Sequence, residues 1–75
     1  VTVLDVTNGS RLETYAIKAP KGSQEICING AAAHLVKPGD LVIILSYVAL
    51  EADDIAGHKP KIVIVNEDNQ IQNIG

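Results

Sequence analysis

Short apolar clusters alternate along the chain with clusters of glycine, proline, asparagine and aspartate, a pattern that predicts short strands joined by tight turns. Residues 1–6 are rich in β-branched side chains and predict a first strand. Asn8-Gly9 predicts a type I′ hairpin turn, because that dipeptide most readily fills both left-handed positions. Residues 11–18 predict the second strand. On it Arg11, Glu13 and Tyr15 project one way and Leu12, Thr14 and Ala16 the other. Twist, or a place at the strand's end, is the route by which Arg11, Thr14 and Tyr15 would share one pocket. Ala19-Pro20-Lys21-Gly22 predicts the turn that stops this strand, with proline at its second position and glycine at the left-handed one.

Residues 24–28 predict a third strand in which Cys27 fills core. Asn29-Gly30 followed by Ala31-Ala32-Ala33-His34 predicts a sharp turn into a single helical turn, and Pro38-Gly39 predicts a type II turn. The run 41–48 is apolar on both faces, which predicts a strand at the centre of a barrel or one buried by another subunit. Residues 50–55 predict a helical turn, 61–66 a last clear strand, Glu67-Asp68-Asn69 a turn, and 70–75 an edge strand or a tail. Five or six short strands with one or two helical turns predict an all-β fold, a small barrel in which residues 1–75 form one domain.

Size and composition narrow the partners. A chain of 75 residues that is 47% hydrophobic is short for its apolar content, which predicts assembly into something larger. A formal charge of -3 and the absence of a basic cluster exclude a nucleic-acid groove, and aromatic residues, only Tyr15 and Tyr47, are too few for base stacking. The longest apolar run, residues 41–45, is strand-sized, so no membrane span is expected and a cytoplasmic location is. Cys27 has no partner for a disulfide. His34 and His58 lie in separate segments with no metal-ligand spacing, so no metal is expected. His34 is read as a helix-end contact, with an acid or base role as the alternative.

Candidate chemistry concentrates in two places. The fork of Arg11 suits a carboxylate, the Tyr15 phenol can deliver a proton and the Thr14 hydroxyl stands between them. The amides of Gly30, Ala31 and Ala32 are uncovered by side chains and lie at the start of a helical turn, where amides have no internal acceptor. A surface arginine with a half-buried, hydrogen-bonded tyrosine, and a short helix packed on a sheet, are the competing readings.

The segments Thr7-Asn8-Gly9-x-Arg11-x-x-Thr14-Tyr15-Ala16-Ile17, Asn29-Gly30-Ala31-Ala32-Ala33-His34 and Gly39-Asp40-Leu41-Val42-Ile43-Ile44 occur in this order across almost the whole chain. Together they resemble the pyruvoyl-dependent aspartate 1-decarboxylases. The resemblance implies a double-psi β-barrel, a homotetramer with sites between subunits, and decarboxylation of L-aspartate to β-alanine for pantothenate synthesis, through an imine with a pyruvoyl group. It further implies self-cleavage of a precursor at a Gly-Ser bond, which yields a small N-terminal β-chain and leaves the pyruvoyl group on the large chain. By the same resemblance Arg11 binds a substrate carboxylate, Tyr15 is the proton donor, Thr14 and Asn29 line the site, and Thr14 aids self-processing. Gly30, Ala31 and Ala32 present substrate-facing backbone, and Ile43 is an apolar wall.

Two departures bear on this expectation. Gly9-Ser10 and Gly22-Ser23 match neither the position nor the surroundings of the family's cleavage segment, and Leu4 stands where a tryptophan is common. Residues 1–75 therefore resemble the C-terminal body of the large chain, with the pyruvoyl residue expected outside them. The alternative function is a non-catalytic small β-barrel, a binding or structural module.

Overall fold

The computed structural model describes all of residues 1–75. Strands β1 (Thr2–Asp5), β2 (Arg11–Glu13) and β3 (Val42–Leu45) make a three-stranded antiparallel sheet in the order β2-β1-β3. Strands β4 (Val63–Val65) and β5 (Ile71–Ile74) make a separate antiparallel pair, and a one-turn helix α1 spans Ala52–Ile55. The chain divides into two compact units, Val1–Lys18 with Ile26–Tyr47, and Ala19–Glu25 with Val48–Gly75.

The barrel expectation is corrected by this topology. Both sheets are open, neither closes on itself, and the fold is a mixed one of short strands and helical turns rather than an all-β double-psi barrel. Closure requires every strand to have neighbours on both sides, and here β1 alone does. The apolar run assigned to the centre supplies β3 instead, an edge strand in which Ile43 and Ile44 stay 47% and 46% exposed. The central place belongs to β1, where Thr2, Val3 and Asp5 are each 2% exposed.

Other local expectations shift for identifiable reasons. The first hairpin is not a type I′ turn. Only Gly9 takes a positive φ, +79°, while the Asp5 and Gly9 amides donate to Ser10 O and Asp5 O, both at 2.8 Å, so residues 6–9 form a longer loop. The later proline turn lies one residue further on than expected, closed by Ser23 N–H to Pro20 O at 3.1 Å. No strand forms over 24–28. Gln24 sits at φ +60°, and Cys27 is exposed rather than core. The Asn29-Gly30 segment does enter a helical turn, a 3-10 helix over Gly30–His34, and Pro38-Gly39 makes the expected type II geometry, with Gly39 at φ +92° and Asp40 N–H to Lys37 O at 3.0 Å.

In the second unit β4 and β5 are joined by a backbone turn closed by Asn69 N–H to Asn66 O at 3.0 Å, and Asn66 Oδ1 reinforces it by accepting from the amides of Asp68 at 2.9 Å and Gln70 at 3.0 Å. The edge-strand option for the last residues is therefore the one realised. Every residue of β4 and β5 is exposed. No helix of the structure is long and apolar enough to cross a membrane.

Candidate active site

Every residue singled out for the site lies in the first unit. Register decides how they are grouped. Arg11 pairs with Leu4, and Leu4 pairs with Ile43 on its other side. Directly paired residues of neighbouring strands share a face, so Arg11, Leu4 and Ile43 form one row across the sheet. The charge of Arg11 is exposed at one end of this row, and the apolar side chain of Ile43 is at the other. Leu4 between them is partly covered.

Thr14 continues the ladder beyond β2. Its amide donates to Val1 O at 2.9 Å, and Val1 N donates back to Thr14 O at 2.7 Å. By strand alternation Thr14 faces away from Arg11. It lines an open concavity of about 400 Å³ together with Val1, Thr2, Glu13, Ser46 and Tyr47. Tyr15 follows at 78% exposure. Neither Arg11 nor Tyr15 borders that concavity.

The third group is the segment from Asn29 to Ala32. Asn29 is extended, with φ -124° and ψ 175°, and its side chain caps none of the first amides of the 3-10 helix. Gly30 holds φ +65°, and Ala31 is exposed with Ala32 and Ala33 half-covered. The helix closes at Leu35, whose amide donates to Ala32 O at 2.9 Å, and Lys37 Nζ approaches Ala33 O at 3.4 Å. His34 is exposed at the end of this turn.

The loop before Arg11 holds residues that pattern reading treated only as turn formers. Asn8 Nδ2 donates to Leu35 O at 2.7 Å and its Oδ1 accepts from Ser10 N at 2.8 Å. Thr7 Oγ1 accepts from Leu41 N at 2.9 Å, while Val6 N donates to Leu41 O at 2.8 Å. Asp5 Oδ1 accepts from the amides of Thr7 at 2.9 Å and Asn8 at 3.0 Å. The hairpin loop is thereby tied both to the start of β3 and to the end of the 3-10 helix. A turn signal in the sequence states where the chain reverses, not what its side chains reach across 27 or 34 positions.

Beneath the loop, two carboxyl groups meet. Burial pushes the Asp5 carboxyl above the ordinary aspartate value of 3.8, and the neighbouring Asp40 carboxyl adds to the rise. Asp40 is pushed below that value, first by the hydrogen bond from Asp5 and then by the Lys37 amide, which donates to Asp40 Oδ2 at 3.0 Å. Asp5 Oδ2 is buried and finds no donor. The opposed shifts make Asp5 the carboxyl that holds its proton more readily and Asp40 the one that gives it up more readily.

The family model described as aspartate decarboxylase matches residues 1–72. The chain belongs to the aspartate decarboxylase family. The aspartate 1-decarboxylase of Legionella pneumophila (strain Lens) is 53% identical over 74 residues, covering 99% of this chain and 56% of the relative. That of Corynebacterium efficiens is 52% identical over 75 residues, covering 100% and 55%. That of Neisseria meningitidis serogroup C is 50% identical over 74 residues, covering 99% and 58%. The chain thus spans about half the length of the curated relatives it matches. Within the family match lie the row Arg11, Leu4 and Ile43, the Thr14 and Tyr15 pair, and the segment from Asn29 to Ala32.

Proposed function

We propose that this chain is the C-terminal body of the large chain of a self-processed decarboxylase, residues 1–75 forming one domain, and that the enzyme converts L-aspartate to β-alanine and carbon dioxide for pantothenate synthesis. The observation that carries this reading is the family match over residues 1–72, within which an exposed arginine stands in register with an apolar wall. The whole enzyme is proposed to include the small N-terminal β-chain of the same precursor and to assemble as a homotetramer.

The residues present suit a pyruvoyl group supplied from elsewhere in the enzyme. Ser10 and Ser23 are engaged in turns, Ser10 N with Asn8 Oδ1 and Ser23 N with Pro20 O, so neither is set up as the source of the group. Guanidinium, hydroxyl and backbone N–H donors are what an α-keto acyl group and an amino-dicarboxylate require, and Arg11, Thr14, Tyr15 and the 29–32 segment provide them. Thr14 and Asn29 are the residues proposed to flank it, with Thr14 also assisting processing. When present, the group supplies the electron sink for the pair released as the carboxylate leaves.

This chain's own residues do the rest. Arg11 offers its planar fork to a substrate carboxylate and fixes its orientation. The backbone of Gly30, Ala31 and Ala32 approaches the substrate unhindered by large side chains, and Ile43 beside Leu4 offers an apolar wall at the far end of the row from Arg11. Tyr15 Oη delivers the proton to the carbon that has lost carbon dioxide.

Tyr15→Phe in the full-length precursor tests the reading. It removes one oxygen and keeps the ring. Cleavage is expected to proceed, seen by mass spectrometry of the processed chain, while β-alanine formation drops about 100-fold. Full cleavage with near-parental β-alanine formation would remove Tyr15 from the mechanism, and failed cleavage would move it into maturation.

A further inference from the structure

The strand bearing Arg11 and the segment bearing Gly30, Ala31 and Ala32 are joined through one side chain. Asn8 Nδ2 donates to Leu35 O at 2.7 Å, and Leu35 N–H in turn donates to Ala32 O at 2.9 Å, closing the 3-10 helix. On its other side Asn8 Oδ1 accepts from Ser10 N at 2.8 Å, and Ser10 O accepts from Asp5 N at 2.8 Å in the last rung before Arg11. The hydrogen bonds therefore run from the Arg11 strand through Asn8 to the turn of small residues. Asn8 is itself held from below, since Asp5 Oδ1 accepts its amide at 3.0 Å.

We propose that Asn8 is a positioning residue whose side-chain amide holds the strand carrying the Arg11 fork and the turn carrying the Gly30–Ala32 backbone in fixed relation, and so supports binding of a dicarboxylate substrate by both. The proposal rests on the reading that those two groups hold the substrate. The chemistry demands both ends of the asparagine amide. The Oδ1 acceptor keeps the loop in shape, and the Nδ2 donor reaches the Leu35 carbonyl, which no carboxylate or short hydroxyl can satisfy from the same position.

Asn8→Asp separates the two functions. A carboxylate still accepts from Ser10 N but presents an acceptor to the Leu35 carbonyl, so the loop is kept and the strut is lost. The measurement is made on the processed, assembled enzyme, with pyruvoyl content per chain fixed by mass spectrometry. Succinate, a four-carbon dicarboxylate without the reacting amine, is titrated by calorimetry, and aspartate kinetics are measured beside it. The expected result is an increase of about fivefold in both the succinate Kd and the aspartate KM, with kcat per pyruvoyl group within about twofold, the pattern of lost uniform binding.

Arg11→Lys is the reference, expected to weaken succinate binding about thirtyfold through loss of the planar fork. If Arg11→Lys weakens succinate binding and Asn8→Asp does not, the proposal for Asn8 is overturned and the carboxylate reading survives. Parental succinate binding in Arg11→Lys would bring down that reading and the proposal with it. Asn8→Ser, which retains an acceptor but not the reach, carries the same expectation without the added charge. Failure of both Asn8 variants to fold would make Asn8 a folding residue and also overturn the proposal.

Discussion

Asp5 is the residue whose chemistry departs furthest from its type. It is 2% exposed, its Oδ1 organises the loop amides of Thr7 and Asn8, and its Oδ2 is buried without a hydrogen-bond partner. Because its folded pKa is raised, the stability Asp5 contributes is complete below the ordinary value of 3.8 and is lost as pH rises through the raised one. Asp40 has the opposite sign. Its lowered pKa contributes stability above 3.8 that is lost as pH falls through the lowered value. Asp5→Asn removes the titrating group and keeps an oxygen for the Thr7 and Asn8 amides. Melting of the assembled protein from roughly pH 4 to pH 8 should show the variant gaining on the parent as pH rises. A difference that stays constant across that range would mean that Asp5 carries no proton into the fold.

At the scale of elements, turn chemistry governs where strands begin. The type II turn before β3 requires a left-handed residue, and Gly39 supplies it at φ +92°. A Cβ built on Gly39 meets nothing within 4 Å, so any cost of adding one is conformational rather than steric contact with neighbours. Gly39→Ala is expected to lose about 1–2 kcal/mol, the cost of holding an L-residue in that region. Gly57→Ala has equally open surroundings and no positive φ, and should change stability by less than about 0.5 kcal/mol. Chemical denaturation of the two variants side by side checks the assignment. Equal effects would show that the Gly39 turn is not held as described.

For the molecule as a whole, burial is the deciding quantity. In the first unit only Thr2, Val3, Asp5 and Val36 are buried, and no residue of the second unit is. Leu41, Val48, Ile55 and Ile71 are each at least 60% exposed. A fold that leaves this much apolar surface in water gains little to offset chain entropy. The 7.9 kDa chain is therefore expected to fold only in association with other chains. Equilibrium sedimentation with circular dichroism on the same sample tests this. A folded monomer at micromolar concentration would refute it.

The sequence by itself determined two chain reversals and the family. The Asn-Gly and Pro-Gly signals located chain reversals at Gly9 and Gly39 because left-handed backbone is a property of single residues. The ordered motifs around Arg11, Asn29 and Ile43 led to the family because they are strings of identities, legible without coordinates. Tertiary structure alone decided the rest. Hydrophobicity placed residues 41–48 at a barrel centre or against another subunit, but an apolar run does not specify how many neighbours it pairs with, and within this chain β3 is an edge. Alternation in the sequence left open whether twist or the strand's end would bring Arg11 and Thr14 together, whereas the structure continues the ladder to Thr14 through its paired bonds with Val1, so alternation holds and the two face apart. The reach of Asn8 to Leu35 and that of Thr7 to Leu41 join residues distant in sequence, and such pairings arise only when the backbone brings them within hydrogen-bond range.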